Sequence, residues 1–202
     1  MVGLREEKRA YTSRQLAEAS FRLAVERGMD GFVINDVTTT TRYSRRTFAN
    51  HFSCKEEAVA EVVVIDAIQV LEGLRIQPGG SAIDALELAI RSQLNEGTID
   101  RIASLQALAR HHPALRPYML ATYSKLMRPL LNILNGARGE AHADLDTLLL
   151  ANSCYGMLNA ITMGEIDFQL TDDEQPADSG PARDQLIGLV FARLRSGFAP
   201  VL

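Results

Sequence analysis

The segment from Phe32 to Phe52 limits what this chain can fold into more than any other. It reads as two short helices joined by a tight turn, and its chemistry fixes where the second one begins. Ser44 is placed to cap that helix, its hydroxyl accepting from the backbone N–H of Thr47, one of the donors that a helix leaves unpaired at its start. Tyr43 before the cap and Phe48 at the fourth helical position have the spacing of a hydrophobic staple. Phe48 and Phe52, four apart, share an inward face. Arg45, Arg46, Thr47 and Asn50 project from the other side. An aromatic anchor behind and hydrogen-bond donors in front is the layout of a helix-turn-helix.

Helical punctuation recurs along the rest of the chain. Thr12-Ser13-Arg14-Gln15 fits a capping box that opens the first helix, Gly28 suits its end, and residues 1–11 read as an arm without structure. The second helix is expected over Val33–Thr40, where some threonine hydroxyls of Thr38–Thr41 bond their own backbone and others face outward. Ser53-Cys54-Lys55-Glu56 reads as a further capping box before an apolar run, Ala58–Ile68. Later helices are expected over 81–95, with Gly97 as the break, then over Thr98–Arg110, Pro113–Leu134, Ala143–Met163 and Pro181–Ser196. Loops are expected at Pro78-Gly79-Gly80, Asn135–Glu140 and Thr171–Gly180. That makes an all-α chain of about nine helices with no strand-like alternation.

Composition narrows the class. A chain of 202 residues with 47% hydrophobic content holds one large core or a small domain beside a larger one. There is no apolar run of about eighteen residues, the length of a spanning helix, and no apolar leader follows Arg5, Glu6, Glu7, Lys8 and Arg9. Two cysteines far apart make no ligand pair, so the expected setting is the reducing cytoplasm. The net charge of −4 is unevenly spread: Met1–Lys55 has ten Lys/Arg against six Asp/Glu, +4, and Glu56–Leu202 has eleven against nineteen, −8. A basic module on an acidic body places an attractive field for polyanions at one end.

Ile34-Asn35-Asp36-Val37, Ser44-Arg45-Arg46-Thr47-Phe48 and His51-Phe52-Ser53-Cys54-Lys55-Glu56 together resemble the N-terminal signature of the TetR family of transcriptional regulators. Leu16, Ala19, Ser20 and Leu23, followed by Glu26-Arg27-Gly28, are similar to that family's first helix, so the resemblance covers Gln15–Glu57. It implies a DNA-binding domain over residues 1–55, with Ser44, Arg45, Arg46, Thr47, Asn50, His51 and Lys55 at the duplex. It also implies an effector-binding and dimerisation domain over residues 56–202. Lys55 stands in the first turn of its helix, where a cation opposes the helix dipole, and the matching family lysine contacts a phosphate. Three positions depart from the pattern. Arg42 stands where the family usually has the turn glycine, Ala49 replaces an aromatic, and Val33 replaces a capping threonine.

In the body, Leu145–Met163 and the run Leu186, Ile187, Leu189, Val190, Phe191 and Leu194 are apolar around most of their circumference, which calls for cover on every side. A second copy, forming an intermolecular four-helix bundle through the last two helices, supplies it, and the resemblance implies the same homodimer. Leu105, Tyr118, Met119, Tyr123, Met127, Asn152, Tyr155 and Asn159 are the expected lining of a largely apolar small-molecule pocket; ordinary core packing is the competing reading for each. His51, His111, His112 and His142 have no metal spacing, and no phosphate loop or nucleophile elbow occurs, so no cofactor or metal is expected and no catalysis. The expected function is a repressor released from a palindromic operator by a small effector. The alternative is an all-helical ligand-binding dimer whose DNA binding is weak or lost; a bundle enzyme, which predicts bound metal or turnover, is a third.

Overall fold

The computed structural model describes residues 3–74, 81–93, 96–138, 145–162 and 179–197. Among these it has nine α-helices and no strand: α1 (Leu4–Arg27), α2 (Ile34–Thr41), α3 (Arg45–Ala49), α4 (Lys55–Gly73), α5 (Ala82–Gln93), α6 (Glu96–His111), α7 (Arg116–Arg138), α8 (Leu145–Thr162) and α9 (Ser179–Arg195). Two 3-10 turns, Met29–Gly31 and Pro113–Leu115, stand before α2 and α7. The all-α expectation holds. The chain forms two compact units, Met1–Asp66 with Arg101–Thr122, and Ala67–Asp100 with Tyr123–Leu202. The unit that contains the first three helices is thus larger than residues 1–55: it takes in the start of α4 and most of α6. The expected loops at Pro78-Gly79-Gly80 and 171–178 lie outside the described residues.

Several boundaries move. α1 begins at Leu4, so residues 4–11 are helical and the expected arm is corrected; Glu6 reaches back to the backbone N–H of Gly3 at 3.2 Å and caps the start. That stretch has no apolar stripe, and all of residues 3–11 are exposed. Helix propagation from the packed turns beyond it, adding one bond per residue, accounts for its form. Gly97 does not break the chain but lies in the first turn of α6, and Gly136 lies inside α7, where a loop was expected. A glycine weakens a helix by only about 1 kcal/mol, which neighbouring turns absorb.

In the first unit α1 buries Leu16, Ala17, Ala19, Ser20, Leu23 and Ala24, a stripe at helical spacing, and Ser20 donates to the Leu16 carbonyl at 2.8 Å. Gly28 ends α1 at φ 73°, ψ 165°, backbone that side chains disfavour, and returns its N–H to Ala24. Phe32, Val37, Phe48, Phe52 and Val59 complete the core. A charge network joins three helices at its edge: Arg101 meets Glu18 at 2.7 Å and Asp66 at 3.1 Å, and Arg14 meets Asp66 at 2.5 Å. In the second unit, α5 buries Ala85, Leu86, Ala89, Ile90 and Gln93 and packs against both α8 and α9. Arg195 of α9 spans Asp84 and Glu87 of α5, each at 2.6 Å. Burial alone would raise the Glu87 carboxyl, but hydrogen bonds from Arg195 and Arg91 outweigh it and hold it below its ordinary value.

Candidate nucleic-acid interface

The geometry of α2, the turn and α3 follows from local chemistry. Val33 precedes α2 and has no capping side chain; Asp36 supplies the missing cap by accepting the Val33 backbone N–H at 2.8 Å. Thr38 and Thr41 turn their hydroxyls onto the carbonyls of Asn35 and Val37, while Thr39 and Thr40 are exposed. Arg42 then adopts φ 59°, ψ 24°, the left-handed conformation that favours glycine, at the position where the family pattern has one. Ser44 caps α3 as its position demanded, accepting from the Thr47 N–H at 3.0 Å. Phe48 is 1% exposed and its ring lies 5.7 Å from that of Phe52, so the back of α3 is anchored in the core.

With Phe48 held inward, Arg45, Arg46 and Asn50 are exposed and Thr47 is half-buried. Three donor-bearing side chains therefore share the outer face of one short helix. His51, next in line, is half-buried, and both its burial and the positive charge of Arg9 hold its imidazole below the ordinary value of 6.5. The spacing of Arg9 in the sequence gave no sign of this neighbour. Exposed Ala49 and Val33, the latter 57% exposed, put apolar groups at the surface where the family pattern has an aromatic and a threonine.

Lys55 sits differently from the other six. Its ammonium reaches back to donate to the carbonyls of Met29 and Phe32, the latter at 3.1 Å, and lies 5.0 Å from the centre of the Phe32 ring. The cation that appeared to oppose the dipole of α4 is thus paired with backbone oxygens of the preceding 3-10 turn. The cap of α4 is also one residue later than the sequence suggested: Glu57, not Glu56, accepts from Ser53, and the Glu57 N–H meets the Cys54 sulfur at 3.4 Å. Glu56 is left to His112, whose Nε2 lies 3.3 Å from it while Nδ1 lies 3.6 Å from Asp30. One imidazole therefore ties the turn after α6 to the 3-10 turn and to α4.

The expected pocket residues divide between the units. Leu105 and Met119 are buried core of the first, and Tyr118 there is half-buried, its phenol raised chiefly by its interaction with the Cys54 side chain. In the second, Tyr155 is buried, Met127 is half-buried, and Asn152 is exposed and donates to the Leu148 carbonyl at 2.7 Å. The side chains of Tyr123 and Asn159 lie outside the described residues. An open groove of about 470 Å³ lies elsewhere, between the end of α1 and α6, with Val25, Met29 and Leu108 in its wall and Arg27 and His111 among its polar residues. Among the described residues no cluster of three His, Cys, Asp or Glu could hold a metal, and no helix is long and apolar enough to cross a membrane.

No protein-family model matches this sequence, and no curated protein matches it. A search of solved structures finds a similar chain in the crystal structure of a proposed TetR-family transcriptional regulator from Mesorhizobium loti MAFF303099. It shares 22% identity over 95% of this chain and 96% of that one, with a TM-score of 0.48. That likeness assigns no role to any residue here.

Proposed function

We propose that the protein is a dimeric, ligand-responsive DNA-binding regulator of the TetR type, acting in the cytoplasm. The observation that carries the reading is the outer face of α3: Arg45, Arg46 and Asn50 exposed on a helix whose other side is fixed by buried Phe48 and capped by Ser44. Arginine reads guanine and asparagine reads adenine from the major groove, each by a two-pronged hydrogen bond. Ser44, Thr47 and His51 border that face and serve the backbone, which positions the helix without specifying sequence. Two copies related by a two-fold axis would present two such helices to half-sites about 34–36 Å apart.

The partner surface is offered by α8 and α9. Leu145, Leu148, Leu149 and, on α9, Leu189 are 69%, 37%, 57% and 50% exposed, although Thr147 and Cys154 on α8 and Ile187 and Phe191 on α9 bury the opposite sides. An apolar stripe left open on two helices is what a second copy covers. Effector binding in the second unit would then shift a two-state equilibrium of the dimer and release DNA, as a repressor requires.

The test is a titration of the purified protein with duplex DNA flanking its own gene, repeated across salt. Specific binding should weaken linearly on a log–log plot as salt rises. Arg46→Ala should weaken the specific site by about 1–3 kcal/mol and relax preference at one base pair. Equal loss on every sequence would make Arg46 a phosphate contact, and no binding at any salt sinks the reading. One observation favours a second reading, a ligand-binding dimer without effective DNA binding. Lys55 is committed to two carbonyls, and Val33 and Ala49 put apolar groups on the same surface. The same titration separates the two.

A further inference from the structure

Gln93 ends α5 and is 6% exposed. Its side-chain oxygen accepts from the hydroxyl of Tyr155, itself 4% exposed, at 2.9 Å. That bond sets the plane of the amide and with it the direction of Nε2, which must point away from the phenol. Nε2 is sealed from solvent, yet among the described residues no acceptor reaches it. A buried amide N–H without an acceptor carries its full desolvation penalty, so a leucine here would serve packing better. Helical spacing puts Gln93 on one face of α5 with buried Leu86, Ala89 and Ile90, and Tyr155 on one face of α8 with buried Ala151 and Cys154, and no charged residue is buried among the described residues. Burial pushes the Cys154 thiol up to about 12, so that thiol adds no charge near neutral pH.

We infer that Gln93 is the polar reader of an effector site in the second unit, its Nε2 donating to the carbonyl of a neutral, otherwise apolar ligand such as an ester, lactone or ketone. The inference rests on the reading that this unit takes an effector. An ammonium or carboxylate brought to the same place meets no buried opposite charge among the described residues and loses its hydration, which one amide N–H does not repay. A plain alkane leaves the N–H as unpaired as before. The carbonyl compound alone improves the position of Gln93 on binding, and Tyr155 acts by orienting the amide.

The experiment titrates the full-length protein with octyl acetate, octanoate, octylamine and octane, reading affinity and the side-chain NH2 resonance of Gln93 by NMR. Octyl acetate should bind at least about tenfold more tightly than the other three and shift that resonance. Gln93→Leu should level the series, and Tyr155→Phe, which keeps the ring, should weaken octyl acetate several-fold without reordering the others. Should Gln93→Leu fail to fold, the resonance in wild type and Tyr155→Phe carries the test. A flat series, an unmoved resonance, or Gln93→Leu binding octyl acetate as well as wild type overturns the inference; water held by Nε2 would give that result. DNA titration of the same samples separates the two failures. DNA binding with a flat ester series removes only the role of Gln93, whereas a ranked series without DNA binding removes only the regulator.

Discussion

Lys55 shows how one side chain can be misjudged from its place along a helix. Read alone, a cation in a first turn asks for an anion, but its stem is long enough to cross to Met29 and Phe32 and to cap their carbonyls instead. Lys55→Met should therefore destabilise the first unit by about 1–3 kcal/mol in urea unfolding. Unchanged stability with weaker DNA binding would return Lys55 to the duplex. His51 gives a pH dependence of definite sign. Its folded value lies below 6.5, so the unfolded chain takes up its proton first as pH falls. Its contribution is full above 6.5 and is lost as pH drops through that value toward the folded one. His51→Gln should flatten the fall of melting temperature between about pH 7 and 5, and Arg9→Gln should raise the His51 value in an NMR titration. Arg42 at φ 59° is a third case: Arg42→Gly should hold or gain stability, and Arg42→Val should lose about 1 kcal/mol or more, because a β-branched residue tolerates that backbone least.

Among the elements, the cap of α3 follows from its own sequence, whereas the starts of α1 and α4 do not. Ser44 and the inward Phe48 and Phe52 are where their spacing puts them, because an N-cap and its orphan N–H lie within one turn and need no distant partner. Ser44→Ala should cost about 1 kcal/mol in chemical unfolding, and a change below a few tenths would mean that water replaces the hydroxyl at no loss. The start of α1 was misread because a good capping box at Thr12 competes with a second start at Gly3, and only accumulated helix packing beyond it decides between them. The cap of α4 slipped by one residue for a related reason: two glutamates, Glu56 and Glu57, were both available, and His112, distant in sequence, took the first. Of the candidate interface, Arg45, Arg46 and Asn50 were legible from helical periodicity, whereas Arg9 beside His51 and the inward turn of Lys55 were not.

For the whole molecule, the division into units differs from the single boundary after residue 55 that the resemblance implied, since the start of α4 and part of α6 belong with the N-terminal helices. The open leucines of α8 and α9 bear on assembly. On the proposed dimeric reading, Leu149→Glu should shift the protein from dimer to monomer in analytical ultracentrifugation and weaken operator binding steeply, because half-site binding loses its linked partner. A monomeric wild type, or a dimer indifferent to Leu149→Glu, would mean that something else covers that stripe.

What the residues dictated unaided was the all-α character, the two short helices with their Ser44 cap and inward Phe48, and the apolar excess of the last helices, while the turn at Arg42 was legible only through the family resemblance. Such features depend on contacts a few positions apart, which periodicity and capping chemistry encode. What only tertiary structure decided was which long or polar side chain found which distant partner: Lys55 its two carbonyls, His112 its two carboxylates, and Tyr155 the amide of Gln93. Those pairs join residues more than twenty positions apart, and no local pattern records a meeting that packing alone brings about.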